Sequence, residues 1–277
     1  MSRGPWRRTG QPRGAGRGRS YHKTGCVESL AGQVQAAALA DGWSVPCMFA
    51  ADASLVTEAF GNVSVWQSSI GGVVANQTTP SARPEFGATA LGGAPGISFD
   101  NATGDEELVV SSLSIGTGKN TMVGIVLMVN DGMGNGATVC TYGAGGDVDG
   151  FEMIFATSSQ LQVRARPAGS GRSWARSGTG TWFSTRENYR GTFDGNLTTE
   201  ETATYAAGVD ETSTWPQNGN STVDMPNSLD FTIGGYRANL TIGALVLLVG
   251  DTSPIPTTGI TEIESLLIAA ANAGSFL

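Results

Sequence analysis

A glycoside hydrolase needs two carboxylates, one on each side of the sugar bond that it cleaves. Alternate acids on a strand would point to one face and form such a pair. The nearest candidate, Asp147-Val148-Asp149, is surrounded by glycines and has the sequence of a turn. Glu106 and Glu107 are adjacent, so on a strand they would point to opposite faces. We therefore predict that the protein is not an enzyme.

Calcium is the metal ion whose ligands the sequence could supply, since it binds carboxylate and amide oxygens gathered in a turn. Asp147 and Asp149 are weak candidates, and the loop 131–135 holds further Asp and Asn residues. Asp and Gly are also the ordinary residues of hairpin turns. We therefore expect no cofactor, with calcium as the one alternative left open.

Cysteine and histidine give no sign of a catalytic or zinc site. The three cysteines, Cys26, Cys47 and Cys140, lack the Cys-x-x-Cys spacing of a zinc ligand set, and their odd number argues against a disulfide framework. We expect them to be small buried hydrophobic residues. The only histidine, His22, lies in the N-terminal segment, which excludes a histidine base within the rest of the chain.

The N-terminal segment differs from the rest of the chain in charge. Residues 1–25 hold seven Lys/Arg and no acid, whereas the remainder holds nine basic residues and 24 acidic ones, a net charge of −15. Its many Gly and Pro residues predict an extended arm without regular structure. The arm could neutralise nucleic-acid phosphates, dock on an acidic or polar protein surface, or remain solvated; we favour docking on protein. The predicted partner-binding residues are Arg3, Trp6, Arg7, Arg8, Arg13, Arg17, Arg19, Tyr21 and Lys23.

The elements that would position any site are short strands. Residues 160–165 alternate between polar and apolar, as in a half-exposed strand, whereas 121–129 are continuously apolar, as in a core strand. No long helix separates successive strands, which favours an antiparallel sandwich over a parallel sheet. Candidate strands are 108–113, 121–129, 137–142, 151–156, 160–165, 188–193, 229–234 and 240–249. We expect burial of Trp66, Phe99, Ile125, Leu127, Ile154, Phe231 and Leu247.

Two helices are predicted at the ends of the body. Residues 27–40 are rich in Ala, Leu and Gln, which favours a helical linker within 26–42. Near the C-terminus, Thr261 and Glu264 have capping-box spacing, which predicts a helix over about 261–273 with Thr261 as its N-cap and Glu264 in its first turn. Gly274 would end this helix. The expected organisation is an arm (1–25), a helical linker (26–42) and a single body (43–277).

Membrane insertion is not expected. No run of 18 apolar residues occurs, and the basic N-terminus lacks the apolar stretch of a secretory signal.

Several segments resemble concanavalin-A-like (laminin-G-like) jelly-roll domains. A D-A-S element is followed by a Trp strand, then by an R-P-x-F turn, a G-x-P-G-I-x-F-D strand and late I-G-G and G-x-L strands before a closing helix. These segments are 51–55, 61–66, 81–86, 93–100, 233–237 and 242–248. The strand before the helix usually carries an acid, which 244–248 lacks. The resemblance covers about 43–277 and implies an all-β, antiparallel two-sheet jelly-roll sandwich with a C-terminal helix.

Such domains occur in phage and other virion structural proteins, in adhesins and in carbohydrate-active enzymes, so the fold leaves the function open. The resemblance and the basic arm favour a non-enzymatic virion protein. We predict a phage capsid decoration (cement) protein, a homo-oligomer on the capsid surface, anchored to the major capsid protein by its arm. The alternatives are a tail fibre or adaptor, a carbohydrate-binding adhesion module, and a jelly-roll coat protein whose arm binds the genome.

Overall fold

The computed structural model describes residues 28–100, 105–130, 136–143, 149–157, 160–166, 173–177, 186–196, 202–217 and 225–277. The predicted arm, Cys26, Asp147 and the loop 131–135 lie outside these residues. The described strands are β1 Ser44–Ala50, β2 Val56–Ala59, β3 Asn62–Ile70, β4 Val74–Asn76, β5 Glu85–Leu91, β6 Ala94–Phe99, β7 Glu107–Ser114, β8 Thr121–Asn130, β9 Ala137–Gly143, β10 Gly150–Thr157, β11 Gln160–Arg166, β12 Ser173–Ser177, β13 Glu187–Asp194, β14 Thr202–Ala206, β15 Val209–Asp210, β16 Thr212–Gln217, β17 Ser228–Gly234 and β18 Leu240–Gly250. The helices are α1 Leu30–Ala40 and α2 Thr258–Ala273, and a 3-10 turn spans Pro80–Ala82.

The predicted antiparallel β-sandwich is confirmed. All eight predicted strands are present, as β7 to β11, β13, β17 and β18. Every strand pairing between described residues is antiparallel.

The strands form two layers that share β3. Sheet A is built around β18, which pairs with β8 on one side and with β1 and β6 on the other; β5 extends it beyond β6, and β13 to β15 extend it beyond β8. Sheet B has the strand order β2-β3-β4-β7-β17-β9-β10-β11-β12-β16. Strand β3 also pairs with β1 and so links the sheets.

The main hydrophobic core lies between the two sheets. Trp66, on the shared strand β3, is fully buried, and its Nε1 donates a hydrogen bond to the carbonyl oxygen of Ala50 at 2.9 Å. The ring of Phe49 lies 5.2 Å from the Trp66 ring, centroid to centroid. All seven residues predicted to be buried are buried. Each such side chain stabilises the fold by about 1.5–3 kcal/mol.

A second core lies on the outer face of sheet A, under both helices. Along β8, Val126 and Met128 face the space between the sheets, whereas Ile125 and Leu127 face the helices. All residues of β18 are buried for the same reason. A sheet covered on both faces has no solvent-exposed side, which explains the continuously apolar sequences of these two strands.

The closing helix begins earlier than its sequence predicts. The N-cap is Thr257, so the prediction of Thr261 as N-cap is wrong, and Glu264 is not in the first turn. The N–H of Gly259 instead donates to Oδ2 of Asp41, just after α1, at 2.6 Å. A contact distant in sequence therefore provides the acceptor expected from a local capping box. Gly274 ends the helix in a left-handed conformation (φ 72°), as predicted.

No helix within the described ranges has the length and apolar character needed to span a bilayer.

Candidate functional site

A groove of about 930 Å³ crosses the outer face of sheet B. This volume lies within the range of small-molecule sites, about 300–1,000 Å³. The groove is lined by β7, β17, β9, β10 and β11 together with the turn after β17. On β10, Phe151 and Met153 point into the core between the sheets, so the intervening Glu152 faces the groove.

Strand register places three polar side chains side by side on the groove floor. Glu152 lies opposite Thr141, and Thr141 lies opposite Thr232. Directly paired residues of antiparallel strands share a face, with Cβ atoms about 4.5–5.5 Å apart. The floor therefore offers two hydroxyl groups next to a carboxylate, held on three adjacent strands.

Two glycines beside this row leave the sheet surface without side chains at their positions. Gly150 has φ +148°, and a Cβ there would lie 2.0 Å from the carbonyl oxygen of Tyr142. Gly143 has φ +111°, and its Cβ would lie 2.5 Å from the carbonyl oxygen of Asp149. Neither position can take a side chain without moving the backbone, so the close pairing of β9 and β10 leaves this part of the sheet bare.

An ion pair fixes one side of the groove. Nη1 of Arg164 on β11 lies 2.8 Å from Oε1 of Glu152 on β10, and the two residues are direct register partners. The Arg164 side chain keeps 27% of its surface exposed, whereas that of Glu152 keeps 8%. The guanidinium thus combines a fixed position with access to solvent.

The other side of the groove is acidic. Asp230 accepts a hydrogen bond at its Oδ1 from the backbone N–H of Ser112, at 2.8 Å, where β17 and β7 shift register. Burial raises the pKa of Glu107, and the nearby carboxylate of Asp105 raises it further, while a hydrogen bond from Gln77 opposes both effects. The groove therefore has carboxylates at its β7–β17 side and an arginine at its β11 side.

An aromatic side chain stands at the rim. Tyr236 follows β17 and keeps 52% of its surface exposed. Its carbonyl oxygen accepts a hydrogen bond from the N–H of Thr138 at 3.0 Å, which ties the turn to β9. The guanidinium of Arg237 lies 4.8 Å from the Tyr236 ring centroid, within cation–π distance. The ring thus presents a partly exposed apolar face beside the polar floor.

The groove residues were not among the sequence-based site predictions. Those predictions fell on the arm and on Asp147, which lie outside the described residues, and on Asp149. Among the residues that the structure describes, no group of three His, Cys, Asp or Glu side chains could hold a metal ion. The one sequence signal for the groove was the alternation of 160–165, which marks Arg164 as outward-facing. The cross-strand register that assembles the site leaves no local pattern.

No family model and no curated protein sequence matches this chain. Among solved structures, the binding domain of botulinum neurotoxin serotype D aligns with a TM-score of 0.54 at 9% identity, over 80% of this chain and 50% of that one. Domain 4 of AbnA, an arabinanase of Geobacillus stearothermophilus, aligns at 0.49 and 9% identity, over 80% and 98%. Trypanosoma rangeli sialidase aligns at 0.46 and 14% identity, and this chain spans about a third of its length (32%). The alignment with the neurotoxin domain indicates that the two chains share a β-sandwich fold.

Proposed function

We propose that the body of this protein is a non-enzymatic carbohydrate-binding module, with the glycan lying across the strands of sheet B in the groove. The observation that carries the proposal is the groove itself. Its strand-held hydroxyls and carboxylates can exchange hydrogen bonds with sugar hydroxyls, and Tyr236 offers an apolar face for the carbon side of a sugar ring.

The layering of the fold supports a recognition role for this face. The outer face of sheet A is covered by α1 and α2, whereas the outer face of sheet B carries exposed and half-exposed polar side chains. Two structures of the botulinum neurotoxin D binding domain share the sandwich at a TM-score of 0.54, one described as receptor-binding. The same architecture thus occurs in a binding domain.

A glycan array followed by calorimetry on the full chain tests this proposal. We expect saturable binding to at least one glycan class, weakened about tenfold or more by Tyr236→Ala and by Asp230→Asn, because each removes a contact in the groove. Phe60→Ala is the matched control, since Phe60 is an exposed aromatic (98%) that does not line the groove. Equal binding by all variants, or no binding across the array, would contradict the proposal.

The second candidate function is the capsid decoration protein predicted from the sequence. The observation that favours it is the division of charge between a basic arm and an acidic body, seven cations against a net −15. Each exposed ion pair contributes only about 0–1 kcal/mol, so many contacts and the Trp6 anchor would have to act together. Deleting residues 1–25 should abolish attachment to the particle, and Trp6→Ala should weaken it more than any single Arg→Ala. Full occupancy by the truncated protein at high salt would contradict this role.

A further inference from the structure

The row of polar side chains on the groove floor continues across four adjacent strands. Thr232 on β17 is paired with Thr141 on β9, and Thr141 is paired with Glu152 on β10. Arg164 on β11 is the direct partner of Glu152 and adds a fourth member. We call these four residues the groove row. All four line the groove, and each is held by its strand.

The sheet sets the spacing of the groove row. Neighbouring strands lie about 4.7–4.9 Å apart, so the row measures about 14 Å from its first strand to its fourth. An extended oligosaccharide, such as a β-1,4-linked chain, advances by nearly one strand spacing with each sugar ring. Such a chain can therefore place one ring over each member of the row when it crosses the strands, whereas a curled chain soon loses this register.

The surface beside the groove row suits the faces of sugar rings. Gly143 follows Thr141 by two residues on β9, lines the groove and carries no side chain. Cδ1 of Leu229 would lie 3.2 Å from a Cβ built on Gly143, so an apolar side chain borders the same strip. Sugar rings combine hydroxyl edges with apolar C–H faces. The groove row and the strip beside it offer both kinds of contact.

The charged side chains of the groove are mainly acidic. Its described lining residues include three carboxylates and one guanidinium, those of Glu107, Glu152, Asp230 and Arg164. The ion pair at 2.8 Å already neutralises the guanidinium with Glu152. Burial raises the pKa of Glu107, and the Asp105 carboxylate raises it further, which shows that this side of the groove has a negative potential. A second anion brought into the groove would meet repulsion that is not offset by a free cation of the described lining.

We propose, resting on the proposed function, that the groove selects neutral, extended oligosaccharides of about four sugar residues and rejects their uronic-acid counterparts. A neutral chain exchanges hydrogen bonds with the groove row and with Asp230 and adds no charge. A uronate chain brings a carboxylate with every ring next to the carboxylates of the groove. Juxtaposed like charges are a general means by which a binding site rejects the wrong ligand.

Calorimetry on the full chain tests the length of the site with β-1,4-linked glucose and mannose oligomers of two to six residues. We expect saturable binding by at least one series, with an affinity that rises on the order of tenfold from dimer to tetramer and then levels off, because further rings extend beyond the groove row. Equal affinity at all lengths, or no binding by either series, would overturn the inference. Binding on the glycan array confined to branched, curled or anionic glycans would overturn it too, and would leave the proposed function standing.

The tetramers of glucuronate and mannuronate test the charge selection, because they differ from the neutral tetramers at C6 alone. We expect the wild type to bind the uronate at least about tenfold more weakly than the neutral tetramer of the same series, and added salt to narrow the difference. Asp230→Asn should narrow it as well, by weakening the neutral chain and relieving the repulsion of the anionic one. Glu262→Gln is the control, since it removes an exposed charge on α2 outside the groove and should leave the difference unchanged.

Two results would count against the charge selection. One is equal affinity for the neutral and uronate tetramers, and the other is a difference that neither salt nor Asp230→Asn changes. Absence of binding to every glycan on the array would instead contradict the proposed function itself, so the two failures are distinguishable.

Discussion

Nη1 of Arg190 on β13 lies 3.1 Å from Oε1 of Glu264 on α2, and both side chains are almost fully buried, with 4% and 7% of their surfaces exposed. The guanidinium also lies 3.8 Å from the centroid of the Tyr205 ring. This buried ion pair joins the closing helix to sheet A.

Breaking the buried pair should destabilise the fold strongly. Arg190→Met leaves Glu264 as an uncompensated buried carboxylate, so we expect the free energy of unfolding in urea to fall by about 3–5 kcal/mol. Arg190→Met combined with Glu264→Leu should cost less than the single change, because no buried charge remains. Arg164→Met is the comparison at the pair with Glu152; Arg164 keeps 27% of its side-chain surface exposed, so its removal opens Glu152 to water and we expect a smaller cost than for Arg190→Met. Similar costs at both arginines would contradict the burial argument.

The free energy of unfolding should depend on pH because of Glu107. Burial raises the pKa of Glu107 above its ordinary value of 4.5. In the pH interval between the unfolded and the folded pKa, the native state binds more protons than the unfolded state, so stability falls as pH rises. We expect the wild type to lose stability relative to Glu107→Gln from about pH 4.5 upward, until the folded pKa is passed. Urea unfolding of both proteins from pH 4 to pH 8 measures this, and a constant difference would contradict it.

Gly150, beside the groove floor, should be hard to replace. Gly150→Ala adds a Cβ that would lie 2.0 Å from the carbonyl oxygen of Tyr142, at a residue with φ +148°. We expect a loss of unfolding free energy of about 3 kcal/mol or more, from strain and displacement of β9 together. Gly61→Ala is the control, since Gly61 has φ +88° and nothing within 4 Å, and should cost only about 1 kcal/mol. Equal losses would show that the clash is relieved without cost.

The thiols of Cys47 and Cys140 should be unreactive in the folded protein. Both are buried, and burial raises the pKa of Cys140 to about 12 and that of Cys47 further still. Because the thiolate is the reactive form, a full-length Cys26→Ser variant should show no labelling by a thiol reagent in native buffer and two labelled thiols in denaturant. Labelling under native conditions would mean that β1 or β9 opens locally.

The strands and the antiparallel sandwich could be predicted from the sequence because they follow from local patterns of apolar and polar residues. The alternation of 160–165 correctly indicated a strand, and the continuous apolar run of 121–129 correctly indicated a core strand. The same run does not reveal which layers cover the strand, and helices on the outer face of sheet A were needed to explain it.

The site could not be predicted in the same way. Thr141, Glu152 and Thr232 come from three strands, and only their register makes them neighbours. Glu264 shows the opposite problem, a local motif that is present but overridden. Its capping-box spacing is real, yet Asp41 supplies the acceptor at the start of α2, and the freed carboxylate pairs with Arg190.

The two helices cover one outer face of the sandwich, and the groove lies on the opposite outer face. Helix α1 lies on the outer face of sheet A, and the groove crosses the outer face of sheet B. The described chain therefore begins, at residue 28, on the face opposite the groove. A label or surface attachment placed at the start of α1 would leave the groove accessible from the other side of the sandwich.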